Sequence, residues 1–393
     1  MLTAASRRAA LATAACLCIP APSPASGVTT LKLPLQMQAG GVLTTGVVID
    51  GEPFRLIVDS GSPYLVVPLD DCDQQPPKLS AYGCADAGRF PPAAFAATEE
   101  QYGALPGRMQ WLRGDVSFGE TEALPRRTGR RVGGELVFGG ADRAVLSQSG
   151  GALLGLIRQV NYAPYSTIKA ADLRPTALGQ LRLASFRIDA PRRELTLSSA
   201  PLIGAAERDA LPLVDPRGWG DGVEHVSARI DDDELLIDGV PLRSRRPMLC
   251  VFDSGLTGIV LSQSLVDELG LGERVPTSPP SSGRGAASGR GLRSIRLALR
   301  TEGGGRVELR SGVDDSALFY AQAIRLNWFA DAKGEQSESA GPHVVAIGQC
   351  VLAKGVLTVD GPQRRATWTP IAPRGQVVPP APPASAQLTQ GGR

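Results

Sequence analysis

Histidine is scarce in this sequence: the 393 residues contain only His225 and His343. Neither histidine lies near a Gly-x-Ser-x-Gly elbow or a cysteine-rich motif, so we expect neither a Ser-His triad nor a zinc site. Isolated histidines are most often surface residues, and we predict that both lie on the surface. The sequence therefore predicts no metal and no other cofactor.

Net charge and long apolar runs are also lacking. Lys and Arg number 41 against 39 Asp and Glu, a net charge of +2, which argues against nucleic acid or an acidic membrane as partner. After residue 26 no run of 18 apolar residues occurs, so we predict no membrane span in the mature chain. Helical periodicities are hard to find, whereas 46 Gly and 32 Pro indicate frequent turns and hence β structure.

The two ends of the chain differ in composition from the rest. Residues 1–26 contain Arg7-Arg8, an apolar stretch and then small residues, which is the layout of a signal peptide. We expect this segment to be removed and the protein to be secreted or to enter the lumen of the secretory pathway. A twin-arginine-type signal to the periplasm or an organelle lumen is the alternative. Residues 374–393 are rich in Pro, Ala and Gln and are predicted to be disordered.

A short motif occurs twice in the chain. Leu56-Ile57-Val58-Asp59-Ser60-Gly61-Ser62 and Cys250-Val251-Phe252-Asp253-Ser254-Gly255 each read as a strand that ends in Asp-Ser-Gly. One Asp-Ser-Gly is ordinary turn chemistry. Both copies, however, are preceded by an Asp-Gly turn and followed, at nearly the same distance, by two apolar residues and Gly: Leu153-Leu154-Gly155 and Ala346-Ile347-Gly348. We infer an internal duplication.

The duplication predicts two lobes, residues 27–198 and residues 199–373. Similar units usually pack about a two-fold axis, which would bring Asp59 and Asp253 together. These motifs resemble those of the pepsin-like aspartic proteases, and the resemblance covers about residues 29–373. It implies an all-β, bilobal fold of two related β-barrel-like lobes with a few short helices, in a protein that we expect to be a monomer.

The resemblance implies an aspartic endopeptidase that hydrolyses an extended peptide or an unfolded protein. Asp59 and Asp253 are the expected catalytic pair, because two adjacent carboxyl groups cannot both ionise and together activate one water. Ser60 and Ser254 would lock the two loops together, and Ser62 would hydrogen-bond Asp59. The remaining expected supports of the active-site loops are Gly61, Gly255 and Thr257.

Two positions depart from the family pattern. Leu256 replaces a hydroxyl residue beside Asp253, so we expect the pKa of Asp253 to be higher than usual unless Thr257 compensates. Val66 replaces the usual Trp that orients the Tyr of the family's flap, a substrate-covering hairpin that Tyr102-Gly103 resembles. These departures keep a second hypothesis open, in which the chain is an inactive homologue that binds peptides or proteins, or acts as an inhibitor.

Four cysteines remain after the signal peptide, which suits an oxidising compartment. Cys72 and Cys84 bracket a Pro-rich loop, and we expect a disulfide between them. Cys250 and Cys350 lie on segments that the resemblance places side by side, where either a second disulfide or two buried free thiols are consistent with the sequence.

Overall fold

A computed structural model describes residues 29–38, 41–69, 83, 87–101, 106–118, 132–141, 151–160, 173–215, 223–277, 291–326 and 341–371. The predictions for the signal peptide, for the C-terminal tail, for Tyr102 and Gly103 and for the Cys72–Cys84 disulfide fall outside these ranges. Within them, no helix is long and apolar enough to cross a membrane.

The described part of the chain consists mainly of strands, so the prediction of an all-β fold with a few short helices is confirmed. The first half contains β1 (Thr30–Pro34), β2 (Gln36–Met37), β3 (Leu43–Ile49), β4 (Glu52–Asp59), β5 (Leu65–Pro68), β6 (Thr98–Gln101), β7 (Pro106–Phe118), β8 (Val132–Ala141), β9 (Leu153–Gly155), β10 (Ser185–Asp189) and β11 (Glu194–Ser198). The second half contains β12 (Leu211–Pro212), β13 (Ser227–Ile237), β14 (Val240–Leu242), β15 (Met248–Phe252), β16 (Ile259–Ser262), β17 (Ser294–Arg300), β18 (Arg306–Gly312), β19 (Ala321–Ile324), β20 (His343–Ile347), β21 (Gly355–Asp360) and β22 (Arg365–Pro370). The helices are a 3-10 turn (Ala87–Arg89), α1 (Ala177–Gln180), α2 (Gln263–Glu268) and α3 (Gln349–Leu352).

Two eight-stranded sheets share one central topology. In the first, with order β2-β3-β4-β9-β5-β8-β7-β6, strand β4 is parallel to β9, and β9 is antiparallel to β5. In the second, with order β18-β17-β13-β15-β20-β16-β19 and β14 paired to β13 beside this path, strand β15 is parallel to β20, and β20 is antiparallel to β16. The strands that lead to Asp59 and Asp253 therefore occupy equivalent central positions, as the repeated motif predicts.

A third sheet joins the two halves. Its order is β1-β11-β10-β21-β22-β12, with three strands from each half of the chain. Strands β10 and β21 pair antiparallel at its centre, where Ile188 lies opposite Leu357. The halves are therefore hydrogen-bonded to each other through a continuous sheet as well as through their loops.

The repeated Asp-Gly turns fold in the same way in both halves. Asp50 and Gly51 have φ angles of 47° and 85°, and Asp238 and Gly239 have φ angles of 52° and 80°. Two consecutive residues with positive φ form the tight hairpin turn that suits the right-handed twist of the strands, and Asp-Gly is a preferred sequence for it. Each turn thus sets the register of a hairpin in its half, and in the first half that hairpin includes the strand leading to Asp59.

The two Asp-bearing strands are anchored in the core. Leu56, Ile57 and Val58 are fully buried in front of Asp59, and Phe252 is fully buried in front of Asp253. Each such side chain contributes about 1.5–3 kcal/mol by its burial. Because moving either strand would expose these side chains, the core fixes the position of the backbone that carries each aspartate.

Candidate active site

The loops after β4 and β15 meet between the two halves and are joined by the hydroxyl groups of two serines. Ser60 Oγ donates to the carbonyl of Phe252 (2.8 Å) and accepts from the backbone N–H of Ser254 (2.9 Å). Ser254 Oγ donates to the carbonyl of Val58 (2.7 Å) and accepts from the N–H of Ser60 (2.9 Å). Both serines are fully buried. The prediction that they lock the loops together is confirmed by this reciprocal set of four hydrogen bonds.

The glycine of each triplet lies against both carboxyl groups. The N–H of Gly61 donates to Asp59 Oδ1 (2.8 Å), and the N–H of Gly255 donates to Asp253 Oδ1 (3.0 Å). A Cβ on Gly61 would lie 2.5 Å from Asp253 Oδ2, and one on Gly255 would lie 2.6 Å from Asp59 Oδ1. Only glycine leaves room for the carboxyl group of the opposite loop, so both positions require it.

The carboxyl groups of Asp59 and Asp253 act on each other through charge and through a hydrogen bond between the two side chains. Burial, the negative charge of Asp59 and that hydrogen bond together raise the pKa of Asp253 well above its usual range. Burial also raises the pKa of Asp59, although the N–H of Gly61 and the hydrogen bond from Asp253 oppose that rise. The pair therefore retains one proton over a range in which isolated aspartates are ionised, and that proton belongs to the pair as a whole.

The two apolar-apolar-Gly segments pack directly beneath these loops. A Cβ on Gly155 would lie 2.5 Å from the carbonyl oxygen of Ser62, and a Cβ on Gly348 would lie 2.5 Å from that of Leu256. The residue after each of these glycines is hydrogen-bonded to the loop above it. The N–H of Leu156 donates to the carbonyl of Asp59, and the N–H of Gln349 donates to the carbonyl of Leu256, both at 2.8 Å. The glycines allow each loop to rest on the segment below it.

Ser62 differs from the sequence-based expectation. Its side chain is buried, with 3% of the residue exposed, and within the described residues its hydroxyl has no hydrogen-bond partner. The expected bond from Ser62 to Asp59 is therefore wrong, because Asp59 takes its hydrogen bonds from the backbone of Gly61 and Gly255 and from Asp253.

The other predicted supports lie in the Asp253 loop. The carbonyl of Thr257 accepts from the N–H of Cys350 (2.8 Å), which joins the loop to α3. Leu256 packs against a small apolar cluster that includes Val251 and Val260. Its N–H lowers the pKa of Asp253, whereas burial and the neighbouring Asp59 raise it.

Cys250 and Cys350 are buried free thiols, so the disulfide considered between them is not formed. Cys250 lies in β15, whereas Cys350 lies in α3, which packs mainly on β18, β20 and β21. Burial raises the pKa of both thiols, to about 11 for Cys350. We conclude that both side chains act as small apolar groups of the core.

The prediction that both histidines lie on the surface is wrong. His343 is 1% exposed, with Nδ1 2.9 Å from Ser264 Oγ and Nε2 2.9 Å from Glu268 Oε2. His225 is 7% exposed, and burial lowers its pKa to about 4. Both are structural groups of the second half, and an isolated histidine in a sequence gives no indication of such partners.

Gln349 is a site residue that the sequence analysis missed. It is fully buried, and its Nε2 donates to the carbonyl of Ser254 (2.7 Å). The signal for it is a polar residue directly after Gly348, within an otherwise apolar stretch.

No protein-family model matches this chain, and no curated protein matches it.

Proposed function

We propose that this chain is an aspartic endopeptidase of the pepsin-like type, with Asp59 and Asp253 as its catalytic pair. The junction of the two Asp-Ser-Gly loops carries this proposal: four serine hydrogen bonds join the loops, and the glycine of each loop lies against the carboxyl group of the other. Two carboxyl groups that share one proton supply a base and an acid at one place. The four serine hydrogen bonds hold the loops in register, as acid–base chemistry on one water requires.

We assign one role to each aspartate, with Asp59 as the ionised member and Asp253 as the protonated member. Asp59, as the ionised member, takes a proton from a water molecule while the water oxygen bonds to the carbonyl carbon of the peptide. Asp253, as the protonated member, donates a hydrogen bond to the oxygen on which negative charge develops. A proton then passes to the amide nitrogen as the C–N bond breaks, and the pair returns to its starting state.

The proposed substrate class follows from the family resemblance, which implies an extended peptide bound beside the pair. An extended peptide can form backbone hydrogen bonds with neighbouring strands, and apolar pockets select its side chains. We propose unfolded protein or flexible peptide as substrate, and secretion or the lumen of the secretory pathway as the location. An inactive peptide-binding homologue is the second candidate, favoured by the unpartnered hydroxyl of Ser62 and by Leu256 beside Asp253.

The test compares cleavage of denatured, dye-labelled casein between about pH 3 and 6 by wild type, Asp59→Asn and Asp253→Asn. Asp232→Asn is the matched control, because Asp232 is exposed on the β13 strand. We expect Asp59→Asn and Asp253→Asn each to lose activity more than a hundredfold, which is the scale of general acid–base catalysis. The control should retain its activity. Cleavage that survives both dyad substitutions would refute the mechanism. Peptide binding without cleavage by wild type would favour the second candidate.

A further inference from the structure

A chain of polar contacts lies at the base of the β6–β7 hairpin. Trp111 Nε1 donates to Thr98 Oγ1 (3.0 Å), and Thr98 Oγ1 donates to Glu100 Oε1 (2.7 Å). An indole N–H can only donate, so Thr98 Oγ1 accepts from Trp111, and its single hydrogen is donated to Glu100 when that carboxyl group is ionised and can only accept. The carboxyl group of Glu100 is thus connected to the indole of Trp111 through a single hydroxyl.

Arg174 lies against the same group of side chains. It is 5% exposed, its Nη2 donates to the carbonyl of Ala96 (3.0 Å), and its guanidinium carbon lies 4.8 Å from the ring centre of Phe95. The same carbon lies 5.6 Å from the ring centre of Trp111, and its positive charge acts on Glu100. Glu100 and Arg174 are thus both arranged around Trp111, Glu100 through the Thr98 hydroxyl and Arg174 over the ring.

This cluster is connected to the Asp59 loop at two points. Tyr64 contacts Trp111 edge to face, with ring centres 4.9 Å apart. The segment that carries Arg174 continues into α1, where the N–H of Ala177 donates to the carbonyl of Pro63 (3.1 Å). Pro63 and Tyr64 belong to the loop that begins at Asp59, so a ring contact and a hydrogen bond connect the cluster to that loop.

We propose that Glu100 and Arg174 are positioning residues, whose opposite charges hold the β6–β7 hairpin and the Pro63–Tyr64 segment in the arrangement that the Asp59 loop needs for catalysis. The catalytic part of this inference rests on the proposed function. The connection from Glu100 to Trp111 does not, and it can be measured in protein without substrate.

The protonation of Glu100 predicts in which direction stability changes with pH. Burial raises its pKa above the ordinary value, against the opposing effects of Thr98 and Arg174. A raised pKa in the folded state means that stability is lost as pH rises through that pKa. The other charged residues of this end of the hairpin, Glu99 and Arg108, are exposed and lie opposite each other in register. Glu100→Gln should therefore be at least as stable as wild type at neutral pH, while lacking the charge that pairs with Arg174.

The first measurement is tryptophan fluorescence between pH 3 and 8. Wild type should show an intensity change centred above the usual pKa of glutamate, because Glu100 titrates beside Trp111. The change should be absent from Glu100→Gln and present in the matched control Glu99→Gln. The chain contains four Trp, so Trp111→Phe identifies the signal as that of Trp111. A change that persists in Glu100→Gln would refute the connection.

The second measurement is casein cleavage and thermal unfolding of the same variants. Above the fluorescence midpoint, Glu100→Gln should lower kcat/KM about tenfold, the scale of one charge-assisted hydrogen bond, without lowering the melting temperature. Below the midpoint it should match wild type, because Glu100 is then neutral in both proteins. Arg174→Lys should retain more activity than Arg174→Met, since it keeps the charge.

Three outcomes would overturn the positioning role: unchanged kcat/KM in Glu100→Gln, a deficit that is equal at every pH, or a deficit that follows a lower melting temperature. If wild type cleaves no casein, the proposed function fails separately. The fluorescence change then still decides whether Glu100 and Trp111 act as one unit.

Discussion

Replacing Ser254 with alanine tests whether the two halves are held together by the serine hydrogen bonds. The substitution removes one hydroxyl and leaves two groups without their partner: the N–H of Ser60, at 2.9 Å, and the carbonyl of Val58, at 2.7 Å. Both residues are fully buried, so water cannot replace the hydroxyl at low cost. A buried polar group that loses its partner costs about 1–3 kcal/mol, so the two groups together predict a loss of roughly 2–6 kcal/mol in the free energy of unfolding.

Ser62→Ala is the matched control in the same region. Ser62 is also buried, but its hydroxyl has no hydrogen-bond partner in the described part of the chain. Removing that hydroxyl leaves no backbone group unpaired, so the free energy of unfolding should change by less than about 0.5 kcal/mol or increase slightly.

The assay is urea unfolding of wild type, Ser254→Ala, Ser60→Ala and Ser62→Ala, followed by intrinsic fluorescence. Ser60→Ala should resemble Ser254→Ala, because it leaves the N–H of Ser254 and the carbonyl of Phe252 unpaired in the same way. A loss in Ser254→Ala no larger than that in Ser62→Ala would refute the reasoning.

Two further predictions concern the packing of the dyad and the pH dependence of stability. Gly61→Ala should reduce casein cleavage more than tenfold, because its Cβ would lie 2.5 Å from Asp253 Oδ2. Gly204→Ala is the control and should keep normal activity, because a Cβ at this position meets nothing within 4 Å. Equal activity of the two variants would contradict the packing argument. Burial lowers the pKa of His225 from 6.5 to about 4, so the unfolded chain takes up this proton first and stability should fall as pH drops through that interval. In His225→Gln the urea midpoint should fall less steeply between pH 6.5 and 4 than in wild type, and parallel curves would show that His225 does not contribute.

Local patterns in the sequence were sufficient for the strands and for the candidate dyad. Val58-Asp59-Ser60-Gly61 and Phe252-Asp253-Ser254-Gly255 each combine a buried strand, a carboxylate and a glycine. Because both copies follow the same Asp-Gly turn and precede the same apolar-apolar-Gly segment, the duplication was evident without coordinates. These features depend on neighbours in the chain, and periodicity and turn chemistry report such neighbours reliably.

The predictions that proved wrong depend on contacts between distant parts of the chain. His343 stands at the start of a strand and is buried because Ser264 and Glu268 of α2 bind its ring. Ser62 was expected to bind Asp59, but the carboxyl group is already satisfied by the two glycine N–H groups and by Asp253. Neither outcome follows from the residues adjacent to these positions.

The sequence by itself determined an all-β chain with a repeated carboxylate motif, because alternating apolar residues, Asp-Gly turns and obligatory glycines are local requirements of strands and tight loops. Only the tertiary structure decided that the serine hydroxyls bond across the two halves, that burial and the charge of Asp59 raise the pKa of Asp253, and that Arg174 lies over the ring of Trp111, which Thr98 connects to Glu100. Hydrogen bonds, burial and charge act through space, and their partners are fixed when the halves pack together.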